Sequence, residues 1–230
     1  MDTAQFRAFL QLLSKNVFPV LGASFQKQDY CPLNLSVSNP ELDGVDVSNT
    51  SKLESFVNSE IKRQGAKIAF GGYLEQRGIY QRSTYFNQSN PETERNIHLG
   101  LDLWIEAGTL VYAPLDGILH SFKNNTNFGD YGPTLIIEHR IDDMSFYTLY
   151  GHLSLESLEG KKEGQSIKKG EVIATLGEAA VNGSYPPHLH FQIMRNLQGN
   201  SGDYPGVTNL RDLEFYKQNC PDPNLLLGIA

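Results

Sequence analysis

Between Ile97 and Ile105 the chain alternates without interruption: Ile97, Leu99, Leu101, Leu103 and Ile105 are apolar, and His98, Gly100, Asp102 and Trp104 stand between them. A period of two marks a strand with one buried face, because successive side chains leave opposite faces of the pleat. From Gly71 onward similar short segments recur between Gly, Pro, Asp and Asn residues. Pro114 and Asp116-Gly117 mark a turn, Leu135 to Glu138 reads as a strand, and Ile141-Asp142-Asp143 turns the chain into Phe146 to Tyr150. The pattern predicts a mainly β (α+β) protein with an antiparallel β-sheet core.

The first seventy residues read differently. Phe6, Phe9, Leu10, Leu13 and Val17 recur at helical spacing, an irregular stretch rich in Asn, Ser, Asp and Pro follows from about Gln26 to Thr50, and Leu53, Phe56, Val57 and Ile61 share one face of a second helix. The expected organisation is an N-terminal helical and irregular extension over 1–70, a β domain over 71–205, and a C-terminal tail over 206–230 packed on the core. The stretch before Thr50 lies where it could cross a groove in the β domain. With 230 residues, 40% of them hydrophobic, the chain can bury a core without a metal or disulfide to hold it.

A formal net charge of -7 offers no basic face for phosphates, which sets nucleic acid aside. Cys31 and Cys220 lie too far apart in sequence for a C-x-x-C redox pair, and buried thiols are the expectation. Gln11, Ser14, Lys15 and Asn16 interrupt the apolar run from Phe6 to Leu21, so an amphipathic helix accounts for it better than a cleaved leader. No stretch reaches the length of a transmembrane helix. A cytoplasmic protein is expected on these grounds, with export to the cell envelope as the alternative; the oligomeric state stays open.

Four of the six histidines fall in three short patterns: H-L-G-L-D at His98 to Asp102, G-H-L at Gly151 to Leu153, and H-L-H at His188 to His190. His120 and His139 have no such company. On a strand, residues two or four apart share a face, so His98 projects with Asp102 and His188 with His190. Imidazole and carboxylate groups aimed at one point from rigid strands suit a hydrolytic metal site, in which three protein ligands leave a fourth position for water. Zinc fits such a nitrogen and oxygen donor set and makes hydroxide available near neutral pH, while iron or manganese would accept similar ligands.

Taken together the patterns resemble peptidase family M23, the lysostaphin-type zinc metallopeptidases. The resemblance rests on H-L-G-L-D, then G-T-L-V-Y-A-P-L-D-G-I-L from Gly108, Y-G-H-L from Tyr150, the glycine-punctuated run from Gly164 to Gly177, and P-H-L-H-F-Q from Pro187, in that order, over roughly 71–194. It implies one Zn2+ ion held by His98, Asp102 and His190. His152 and His188 would be the catalytic pair, as general base or as stabilisers of the charge that develops on an attacked carbonyl. Tyr80, Tyr85 and Arg95 are candidates for a further oxyanion-stabilising group. Gln192 stands where the family commonly has glutamate. The implied function is hydrolysis of peptide bonds in peptidoglycan cross-links or related glycine-containing peptides. The alternatives are a zinc amidase or peptidase acting on a cytosolic peptide or small amide, and a non-catalytic binding homologue. A biotinyl or lipoyl carrier would explain the glycines around Lys168 and Lys169 but would leave the clustered histidines unused.

Overall fold

Residues 97–104 of the alternating segment are buried on both faces and Ile105 only partly, and the segment is two strands. A computed structural model describes residues 2–84, 86, 90 and 92–229. In chain order its elements are α1 (Thr3–Leu13), β1 (Tyr30–Pro32), α2 (Thr50–Arg63), β2 (Ile68–Gly71), β3 (Ile97–His98), β4 (Leu101–Trp104), β5 (Leu110–Tyr112) and β6 (Gly117–Asn125). Then come β7 (Gly132–Ile141), β8 (Met144–Gly151), β9 (Ser166–Ile167), β10 (Val172–Thr175), β11 (His188–Met194), β12 (Val207–Thr208), α3 (Leu213–Asn219) and α4 (Asn224–Leu227). The break falls at Leu99 and Gly100, so His98 and Asp102 belong to different sheets. β3 pairs with β12, whereas β4 lies inside the main sheet.

That main sheet has eight strands in the order β1-β2-β4-β11-β8-β7-β6-β9, antiparallel throughout except for the parallel β1–β2 pair at one edge. β1 comes from the irregular N-terminal stretch, which therefore supplies an edge strand. The expected turn at Asp142 closes the β7–β8 hairpin, with Asp142 at φ 52°. β5 and β10 form a separate ribbon.

Alternation divides the two faces of the central strands. Leu101 and Leu103 of β4 and Leu189, Phe191 and Ile193 of β11 face one core, which α1 covers through Phe6 and Leu10; the Phe6 ring meets Phe146 edge-on at 5.9 Å. Asp2 caps α1 by accepting from the Gln5 N–H at 2.8 Å, and the Gln5 side chain accepts from the Asp2 N–H at 3.0 Å, a reciprocal cap that satisfies two free donors. On the other face α2 packs Leu53 and Val57 against Ala69, Trp104 and Tyr185. Asn49 caps α2 through the Lys52 N–H, and Lys62 and Arg63 sit in its last turn, where the helix dipole favours positive charge. Even-numbered residues of β4 and β11 look toward this second face.

Both cysteines are free and buried. Among the described residues no helix is long and apolar enough to cross a membrane. Leu10 is fully buried, so Leu10→Ala is expected to lower stability by about 2–5 kcal/mol. Denaturant unfolding checks this as a drop in midpoint at unchanged slope; an unmoved midpoint would mean that α1 does not contribute to the cooperative unit.

Candidate metal centre

Strand register brings the ligands together. Asp102 of β4 lies directly opposite His190 of β11, and the next pair on the same face is Trp104 opposite His188. His98 arrives from β3, over the break at Gly100. Three atoms converge: His98 Nε2 and His190 Nδ1 are 2.8 Å apart, and Asp102 Oδ1 is 3.3 Å from the first and 3.1 Å from the second. All three residues are buried.

Hydrogen bonds on the outer side of each ring fix what the inner side presents. His98 Nδ1 donates to the Gly72 carbonyl at 3.0 Å, and His190 Nε2 donates to Gln192 Oε1 at 3.0 Å. The Gln192 amide is held in this orientation because its Nε2 donates to the Pro205 carbonyl at 3.1 Å and to Cys220 Sγ at 3.4 Å. A neutral imidazole that donates from one nitrogen carries a lone pair on the other. Burial lowers His98 to about 4, which keeps its ring neutral. Burial opposes ionisation of Asp102, yet His98, Arg77 and His188 around it hold its carboxyl well below the usual range. Two ring nitrogens and a carboxylate oxygen thus face one point.

Such a cluster can hold a cation. Bonds of about 2.0–2.1 Å in a tetrahedron separate ligand atoms by about 3.3 Å, close to the spacings present. The three residues fit one zinc ion, and the outer partners Gly72 and Gln192 orient the rings as second-layer groups do around such ions.

His152 and His188 line the same cavity, of about 150 Å³. Each donates its Nδ1 to a backbone carbonyl at 2.7 Å, His152 to Asn182 and His188 to Pro186. Their ring centroids are 4.2 Å apart, and His188 stacks on Trp104 at 3.9 Å. Burial lowers His188 to about 4, and burial together with His188 and His190 pushes His152 well below its ordinary value. His152 sits at φ 62°, a left-handed conformation costing about 1–2 kcal/mol. It is held there by its N–H donating to the Tyr131 carbonyl and its own carbonyl accepting from Gly177.

Of the other candidates, Tyr80 is buried in the cavity wall, and Arg95 lines the wall while donating to the Val207 carbonyl at 2.9 Å. Tyr85 lies outside the described residues. The sequence reading missed Tyr131, whose ring is 5.0 Å from His190, and Tyr185, 5.0 Å from His152. It also missed the pairing of Arg77 with Asp102. Gln192 and Trp104 carried a signal, each being two residues along a strand from a ligand; Arg77 carried none. The irregular stretch before Thr50 supplies a wall residue, Leu35. His139 is a structural histidine elsewhere, between Asp116 and Thr148, and Lys168 and Lys169 occupy the turn between β9 and β10.

The convergence defines a three-ligand site that fits one zinc ion. Residues 96–202 match the model of Peptidase family M23. An uncharacterized metalloprotease of Haemophilus influenzae is 34% identical over 111 residues, covering 48% of this chain and 21% of that protein. The peptidoglycan DD-endopeptidase ShyA of Vibrio cholerae is 32% identical over 107 residues, covering 46% and 22%. The catalytic domain of the antimicrobial peptidase lysostaphin from Staphylococcus simulans is 27% identical with a TM-score of 0.38, covering 53% of this chain and 80% of that one. The chain spans about a fifth of the length of the two curated relatives. The expectation of a cytoplasmic protein is overturned. It rested on reading the run from Phe6 to Leu21 as an amphipathic helix and not a leader, whereas the proteins the chain resembles include a peptidoglycan endopeptidase, and that polymer lies outside the cytoplasmic membrane.

A Cβ added at Gly100 would overlap Cε1 and Nε2 of the His190 ring. Gly100→Ala is therefore expected to displace this ligand and weaken zinc binding at least tenfold with the fold retained, as read by zinc titration and circular dichroism. Parental affinity would show that the ring position is not what holds the metal.

Proposed function

We propose that the chain is a zinc-dependent peptidase or amidase, organised as a catalytic unit over 71–205 with residues 1–70 and 206–230 packed around it. The carrying observation is the convergence of His98 Nε2, His190 Nδ1 and Asp102 Oδ1 at the wall of an open cavity. Zinc held there supplies Lewis acidity and makes hydroxide available near neutral pH.

The chain's own groups supply the rest. With Nδ1 committed to a backbone carbonyl, each of His152 and His188 keeps Nε2 as a lone pair, so one of the two rings can take the proton released as a carbonyl is attacked and return it to the leaving amine. The bonds to Asn182 and Pro186 keep both rings from turning. Peptidoglycan cross-links are the substrate class the named relatives suggest, and action on that polymer places the protein in the cell envelope. The second reading, a short peptide or small amide, is favoured by a cavity of only about 150 Å³.

Purified protein is expected to bind one equivalent of zinc and to release soluble fragments from peptidoglycan in a chelator-sensitive way. Cleavage of short peptides or amides without attack on peptidoglycan would select the second reading, and zinc binding without any cleavage would leave a binding homologue. Chelation should abolish turnover while cooperative unfolding persists, because the core folds without the metal. Asp102→Asn is expected to lose zinc and activity together. His152→Ala and His188→Ala are expected to keep stoichiometric zinc while turnover falls about a hundredfold or more. Elemental analysis of dialysed variants decides between these roles: loss of zinc from His152→Ala with retention in Asp102→Asn would reverse the assignment.

A further inference from the structure

The segment from Gly72 to Arg77 is irregular, yet it reaches two of the three ligands. Gly72 sits at φ 105° and turns its carbonyl onto His98 Nδ1; a Cβ there would meet that nitrogen at 2.8 Å and press on the Arg77 guanidinium. Five residues later Arg77 Nη1 donates to Asp102 Oδ2 at 2.6 Å, and Arg77 Nε donates to Glu75 Oε2 at 2.6 Å. The side chains of Arg77, Glu75 and Asp102 are 5%, 10% and 1% exposed. The other Glu75 oxygen accepts from the Leu35 N–H at 2.8 Å, and the Glu75 carbonyl accepts from the His98 N–H at 3.0 Å. The chain thus runs from the N-terminal stretch through two buried charges to the metal side of β4.

A carboxylate with both oxygens free can chelate a metal, filling a position that hydrolysis needs open. Here the two oxygens of Asp102 have separate partners: Oδ1 meets the two imidazoles and Oδ2 meets the guanidinium. A planar guanidinium can bridge two carboxylates at fixed geometry, which a lysine ammonium cannot reproduce. Glu75 balances the charge of Arg77, so the carboxylate keeps its negative charge for the metal.

We propose that Arg77, braced by Glu75, is a positioning residue of the metal centre that withholds Asp102 Oδ2 and leaves Asp102 to coordinate through Oδ1 alone. This rests on the reading of His98, Asp102 and His190 as a metal site. A buried ion pair that served only folding would leave the coordination number unchanged when removed.

Cobalt(II) put in place of zinc reports that number directly, because its visible d–d band weakens several-fold on going from four to five ligands. The double variant Arg77→Met/Glu75→Gln conserves net charge and keeps an acceptor for the Leu35 N–H. It is expected to show the weakened band and a zinc Kd raised about 10–100-fold, the usual effect of losing an outer-layer partner. Arg77→Lys keeps the charge without the fork and is expected to move the band in the same direction. A parental cobalt spectrum in both variants, or in Arg77→Lys alone should the double variant not fold, overturns the proposal whatever the affinity. Failure of the parent protein to take up one equivalent of cobalt or zinc would instead remove the metal-site reading beneath it.

Discussion

Asp102 and His190 face each other across the β4–β11 pair, and the site and both cores hang on that register. Side chains on a strand alternate, so a one-residue slip of β4 would carry Asp102 into the core that holds Leu101 and Leu103, and a slip of β11 would turn Leu189 or Phe191 toward the cavity. Burial of those apolar residues therefore enforces the chemistry. The hydrophobic face cannot pack correctly without presenting the carboxylate and imidazole to one another on the opposite side. His188, stacked on Trp104 in the next pair, is placed by the same register.

The strands set where the ligands are, and irregular backbone sets how they are turned. The carbonyls of Gly72, Asn182 and Pro186 each accept from one ring nitrogen, and Gln192 does the same for His190 through an amide anchored at Pro205 and Cys220. Each bond decides which nitrogen is left as a lone pair. This ties segments remote in sequence to one centre: the N-terminal stretch through Leu35 and Glu75, and the C-terminal tail through the buried Cys220 thiol. Its thiol is pushed up to about 12 by burial, and it serves the amide as a weak acceptor.

The ligand set was legible through the family resemblance carried by the order of the histidine patterns; alternation alone paired His188 with His190 on one strand but wrongly put His98 and Asp102 on another. The mainly β class, the two N-terminal helices and the β7–β8 turn followed from the same local signals. The break at Gly100 was not legible: the alternation of apolar residues runs through it, and the reason for a glycine there is the His190 ring, 90 residues away in sequence. Arg77 and the carbonyl acceptors were hidden for a related reason. Backbone groups have no identity in a sequence, and a charge on an irregular segment gives no period from which to infer its partner. The helical spacing of Phe6, Phe9, Leu10 and Leu13 was the wrong basis for a compartment, because a segment that packs as a helix says nothing of where the substrate lies.

The central claim is that His98, Asp102 and His190 hold a single zinc ion and leave one position open. X-ray absorption at the zinc edge of the metal-loaded protein tests it most directly. The account predicts one zinc per chain with four nitrogen or oxygen neighbours at about 2.0–2.1 Å, and outer-shell scattering from two imidazole rings. Six light neighbours at longer distance with no imidazole signal, or scattering from more than two rings, would contradict it.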